Sequence, residues 1–135
     1  MKTNIMFRVL SDGLKPHEIT EALCLQPTEA YTKGDAYTLP KVGVRYRSIG
    51  HWSLCTTHAV ASESVEEHAR CILEQLEPRR AAISTLIADA KNRVAISVWW
   101  EIPEEHGVFA LRSATMKRLC ALCADIEIHF IGASA

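Results

Sequence analysis

The stretch NRVAISVWWEI, Asn92 to Ile102, decides the fold. Val94, Ile96, Val98 and Trp100 alternate with Ala95, Ser97 and Trp99. Successive side chains of a strand point to opposite faces, so this period of two predicts a strand with few charges on either side, and hence a central strand of a sheet. Its β-branched and aromatic residues suit a pleated, packed surface.

Upstream of it, SVEEHARCILEQLEP (Ser64 to Pro78) places Val65, Ala69, Ile72, Leu73 and Leu76 on one helical stripe, and Ser64 and Glu67 have the capping-box spacing. Pro78 interrupts or kinks the helix, and Ile83, Leu86, Ile87 and Ala90 resume the apolar period. Two consecutive helices or one bent helix are therefore expected over 65–90. HWSLCTT (51–57), with Trp52, Leu54 and Thr56 on one face, predicts a strand, as does NIMFRVL (4–10), where Ile5, Phe7 and Val9 oppose Arg8. Pro16 suits a first helical position, and Ile19, Ala22 and Leu23 predict a short helix stopped before Pro27. The polar segment 26–50 is broken by Gly34, Pro40, Gly43 and Gly50. Structureless loops of that length are uncommon in a compact domain, so strand pieces are expected at 36–39 and 44–49. Downstream, PEEHGV reads as a turn and FALRSATMKRLCALCA holds a helix with Ser113 as its cap; DIEIHFI alternates Ile126, Ile128 and Phe130 as a last strand.

This order predicts one α+β domain over residues 1–135: a two-layer sandwich with a mostly antiparallel sheet of four or more strands and helices on one face, a ferredoxin-like arrangement. Both ends read strand, helix, strand, which suggests a loose internal duplication. With 15 basic and 16 acidic residues the net charge is −1, so no global field favours nucleic acid or an anionic membrane. The apolar run at the start is broken by Arg8, and no stretch approaches the roughly 18 apolar residues of a membrane span. A cytoplasmic location is expected, with the five cysteines, an odd number, as reduced thiols.

PHEITEALCLQPT (16–28), KGD (33–35), GHWSL (50–54), SVEEHARCILEQLEP (64–78) and ADIEIHF (124–130) occur in an order that resembles a bacterial family known as domain of unknown function 4279. The resemblance covers nearly the whole chain. It implies an α+β domain of bacterial origin and carries no catalytic residues over. Where a small or polar residue is expected before the last strand, this chain has Cys123.

Four groups of residues invite chemistry. Met116, Leu119, Cys120 and Cys123 share one helical stripe, which predicts a core role for the CxxC; its place in a last helical turn also argues against a redox thiolate, which the positive end of a helix dipole would favour. A zinc site assembled from Cys55, His58, His68, Cys71 and the CxxC lacks a second close pair, so no metal and no cofactor is expected. The segment 31–52 is locally basic and aromatic: Arg45, Tyr46, Arg47, His51 and Trp52 make a candidate site for a small anionic or aromatic ligand, with two guanidinium groups expected on one strand face. The bland alternative is a solvated hairpin whose arginines pair with Glu63, Glu66, Glu67 and Glu74. In WWEIPEEHG, Glu101, Glu104, Glu105 and His106 invite acid–base chemistry, and Trp99 and Trp100 must face opposite ways, making them candidate interface residues.

No GxGxxG, P-loop, HExxH or GxSxG pattern occurs. The expected function is therefore non-catalytic binding of a protein partner or self-association, an immunity-type or accessory role being one form of it. The alternative is a ligand-binding domain or enzyme built on 31–52.

Overall fold

In a computed structural model, which describes residues 3–103 and 105–132, the strand expected at 92–102 lies inside a five-stranded sheet. The elements are β1 (Asn4–Ser11), α1 (Pro16–Leu23), β2 (Glu29–Tyr31), β3 (Ala36–Leu39), β4 (Gly43–Tyr46), β5 (Gly50–Cys55), α2 (Val65–Leu76), a 3-10 turn (Glu77–Arg79), α3 (Arg80–Ala88), β6 (Arg93–Glu101), α4 (Ser113–Ala121) and β7 (Asp125–Ile131). The sheet order is β2-β5-β1-β6-β7, and β3 and β4 form a separate hairpin. All neighbouring pairs are antiparallel except β6 and β7, which α4 connects as a parallel pair. The expected α+β class holds. The suggested duplication does not: β1 and β5 close antiparallel, whereas β6 and β7 close parallel.

Alternation along β1 sends Ile5, Phe7 and Val9 to the helix side, where all three are fully buried. Val9 lies opposite both Trp52 and Val94, and Phe7 opposite Leu54 and Ile96, so the register stacks apolar rows across three strands. The Trp52 ring meets Phe7 edge-on at 6.2 Å, and its indole N–H donates to the Thr20 hydroxyl at 3.1 Å. Onto this layer α2 sets Val65, Ala69, Ile72, Leu73 and Leu76, the stripe expected from the sequence. Gly50 ends the β1–β5 ladder opposite Ser11 because a Cβ there would lie 2.6 Å from the Ser11 carbonyl oxygen.

Polar side chains lock the helices to the sheet and to one another. His68, buried on α2, donates from Nε2 to the Ser62 carbonyl at 2.7 Å, which leaves Nδ1 to accept from the Thr56 hydroxyl at 2.6 Å. Thr56 in turn accepts from the Ile5 N–H at 2.9 Å, so α2, the end of β5 and β1 share one chain of bonds. Ser64 caps α2, accepting from the Glu67 N–H at 3.3 Å. Arg79 donates to the carbonyls of Leu23 (2.9 Å) and Gln75 (3.0 Å), placing a cation where α1 ends.

The cap expected at Ser113 is not made. The α4 N-terminus is served from another helix: Glu66 accepts from the Arg112 N–H at 2.8 Å and the Thr115 hydroxyl at 2.6 Å. Burial alone would raise the Glu66 pKa. Bonds from Thr115, Arg112 and Arg70 outweigh it and hold the carboxyl at about 2.

Phe7→Ala is expected to cost about 3–5 kcal/mol, the usual range for a buried phenylalanine, read as a lower denaturation midpoint. Because the folded Glu66 pKa is depressed from 4.5 to about 2, its contribution is present above pH 4.5 and lost as pH falls toward 2. Glu66→Gln should lower stability at pH 7 by about 1–2 kcal/mol and flatten the acid side of the stability profile.

Candidate functional site

The helices cover one face of the sheet, and the other face carries its polar side chains. At its centre Arg8 of β1 reaches across β6 to Glu127 of β7, passing over Ala95 and Ser97, whose small side chains leave room. Glu127 also accepts from the Ser97 hydroxyl at 3.0 Å and from Arg93 at 2.7 Å. The Arg8 bond, partly offset by burial and helped by Ser97 and Arg93, holds this carboxyl below the usual range.

Toward β2 the same face turns aromatic. His51 stacks on Tyr31 with centroids 4.8 Å apart, and its Nε2 lies 2.9 Å from the Ser53 hydroxyl. A histidine within reach of a serine resembles a base and its nucleophile, but Ser53 is 0% exposed, so no substrate reaches it. Burial, with Arg8 and Arg47 adding to it against Glu29, lowers the His51 pKa and favours the neutral ring.

The residues singled out in 31–52 do not converge. Trp52 is fully buried among the helices. The Arg47 guanidinium lies between the rings of Tyr31 and Tyr37, 4.0 and 3.9 Å from their centroids, with Glu29 at 4.0 Å. Arg45 is exposed and donates to the Val44 carbonyl, and Tyr46 is exposed beside it. Among the described residues the pairing expected with Glu63, Glu66, Glu67 and Glu74 is not made: Arg47 meets Glu29, and Glu66 binds Arg70, Arg112 and Thr115. The expected strand at 44–49 ends at Tyr46, and β2 pairs Glu29–Tyr31 with β5, a strand the sequence did not reveal.

Trp99 and Trp100 face opposite ways, as the alternation requires. Trp100 is buried, with Phe109 and Phe130 edge-on to it at 5.8 and 5.9 Å. Trp99 lies on the open face, stacked on His129 with centroids 3.9 Å apart; among the described residues neither its buried indole N–H nor the buried His129 Nε2 has a hydrogen-bond partner. Of the acid–base group nearby, Glu104 lies outside the described residues, and Glu105 and His106 are exposed.

The thiols are placed differently from expectation. Cys120 and Cys123 are exposed, and Met116 is 50% exposed, because α4 buries Thr115 and Leu119, followed by Leu122. The CxxC is a surface feature. His68 is committed to Thr56 and Ser62, Cys55 contacts Thr57 and Asn4, and among the described residues no three metal-ligating side chains gather.

The largest departure from ordinary surface chemistry is at β7. Among the described residues it pairs only with β6, which leaves its outer edge open. Ile126, Ile128 and Phe130 line its helix side in steps of two, and are 41%, 45% and 55% exposed. The strand carries no lysine, proline or bulge to deter pairing; its charges, Asp125 and Glu127, lie on the face away from the helices.

A family model described as "Domain of unknown function (DUF4279)" matches residues 1–132. The chain belongs to the DUF4279 family. No curated protein and no solved structure matches it. Among the described residues of this DUF4279 domain, no helix is long and apolar enough to cross a membrane.

Exposure and electrostatics rank the thiols of the DUF4279 domain. Cys24, Cys120 and Cys123 are exposed, whereas burial, helped by Glu74, pushes the Cys71 thiol up. An alkylating reagent at neutral pH should modify Cys24, Cys120 and Cys123 well before Cys71, as followed by peptide mass spectrometry. Protection of Cys120 and Cys123 in the native protein would contradict this placement of α4.

Proposed function

We propose that this domain is a non-catalytic binding module that engages another polypeptide through the β7 edge and the apolar row beside it. The observation that carries the reading is the seven-residue open edge with Ile126, Ile128 and Phe130 exposed in line. A strand with free N–H and C=O groups offers main-chain affinity to an extended segment, and the alternate side chains next to it supply selectivity. Contiguous exposed apolar patches mark protein or membrane interaction sites and ligand grooves. The titratable groups of the open face, Arg8, Glu127 and His51, are engaged with one another or with hydroxyls, as a structural network is.

In this reading the protein works in the cytoplasm of a bacterial cell as an accessory component, and neutralising or regulating another protein, as immunity proteins do, is its concrete form. The alternative, an anionic ligand at 31–52, would require Arg45, Arg47 and Trp52 to meet, and Trp52 is buried while Arg47 is held by two tyrosines.

Affinity capture from the native cell with the wild-type chain and with the double variant Ile126→Asp, Phe130→Asp tests this. The expected result is a protein partner lost in the double variant and retained by Arg45→Ala, Arg47→Ala. The reverse, with thermal-shift responses to anionic compounds that disappear in the arginine variant, would move the function to 31–52.

A further inference from the structure

The backbone of β7 fixes which residues an incoming strand would meet. Ile102 donates its N–H to the Ile131 carbonyl at 2.8 Å, so Ile131 turns its backbone groups toward β6. By alternation His129, Glu127 and Asp125 do the same, and Ile126, Ile128 and Phe130 present their N–H and C=O to the open edge.

We infer that β7 pairs antiparallel with β7 of a second copy of this chain, about a two-fold axis through Ile128. The inference rests on the reading of β7 as the binding edge and names its occupant. For an antiparallel ladder to close, residues with outward backbone groups must oppose residues with outward backbone groups. That condition leaves three central registers. Centring on Glu127 sets two glutamates directly opposite each other, which is unfavourable, and centring on His129 opposes two histidines and leaves Glu127 facing Ile131. Centring on Ile128 opposes Ile128 to itself, Ile126 to Phe130, and Glu127 to His129, the last pair occurring twice by symmetry.

This register matches apolar with apolar at Ile126, Ile128 and Phe130 and sets Glu127 opposite His129, while its two ends oppose Asp125 to Ile131. The Glu127–His129 pairs fall at positions without ladder bonds, where side chains approach most closely. His129, whose buried Nε2 has no partner among the described residues, has the Glu127 carboxylate, which is also held by Arg8, Arg93 and Ser97, as its directly opposed neighbour. The apolar rows of the two strands join into one stripe on the helix side. The opposite edge, β2, has only three residues and offers no comparable ladder. The product is a sheet continuous across two chains, with both open faces on the same side.

Light scattering and sedimentation of the wild-type chain should show a monomer–dimer equilibrium that is mostly dimer before millimolar concentration. Because the central position opposes itself, Ile128→Lys and Ile128→Glu should each weaken dimerisation about tenfold or more through like charges. An equimolar mixture of the two should dimerise again, as the mixed pair is complementary, and that recovery also shows that both variants are folded. A wild-type chain monomeric at millimolar concentration, variants that associate as the wild type does, or a mixture that stays monomeric overturns the inference. If the wild type is monomeric and Ile126→Asp, Phe130→Asp still abolishes capture of a partner, self-pairing fails and the binding module stands.

Discussion

A sheet covered by helices on one side must solve two different problems with the same strands. Along β1 the alternation that buries Ile5, Phe7 and Val9 forces Asn4, Met6, Arg8 and Leu10 onto the uncovered side. At the middle of five strands that side is still too enclosed to hydrate a lone guanidinium fully, and desolvating an unpaired charge is costly. Glu127 resolves this from two strands away, and it is able to because β6 places Ala95 and Ser97 in between. The parallel placement of β7 is thereby tied to the centre of the sheet by charge as well as by the ladder.

The helices are short, eight to twelve residues, and isolated helices of that length are marginal in water. Their ends are completed largely by side chains from elsewhere. Glu66 of α2 caps α4, Arg79 meets the end of α1, and Arg80 donates to Ala121 at the end of α4 at 3.0 Å. Local capping signals are consequently weak where the tertiary ones are strong.

That division explains what could be read from the sequence. β1, β5, β6, β7 and α2 each have a single dominant apolar period, and all form where expected. α4 has two competing stripes that share Leu119: one runs through Met116 and Cys120, the other through Thr115 and Leu122, and only packing on the sheet selects the second. β2 is invisible because EAY is too short for any period and exists through pairing with β5. The basic, aromatic character of 31–52 was legible, but its use was not. Arg47 satisfies Tyr31 and Tyr37, residues that only the separate β3–β4 hairpin and β2 bring around it. The open β7 edge was hidden for a different reason, since alternation in DIEIHFI reveals a strand and says nothing of its neighbours.

The position of β1 in the sheet also shapes how the chain folds. Its partners are distant in sequence: Met6 pairs with Cys55, and Ile5 with Val98. Loop closure over such spans comes before the contacts that reward it, which places the domain among the slower folders of its size. On the ribosome the first strand waits, half-paired at best, and its second edge stays open until the segment through Trp99 has been made.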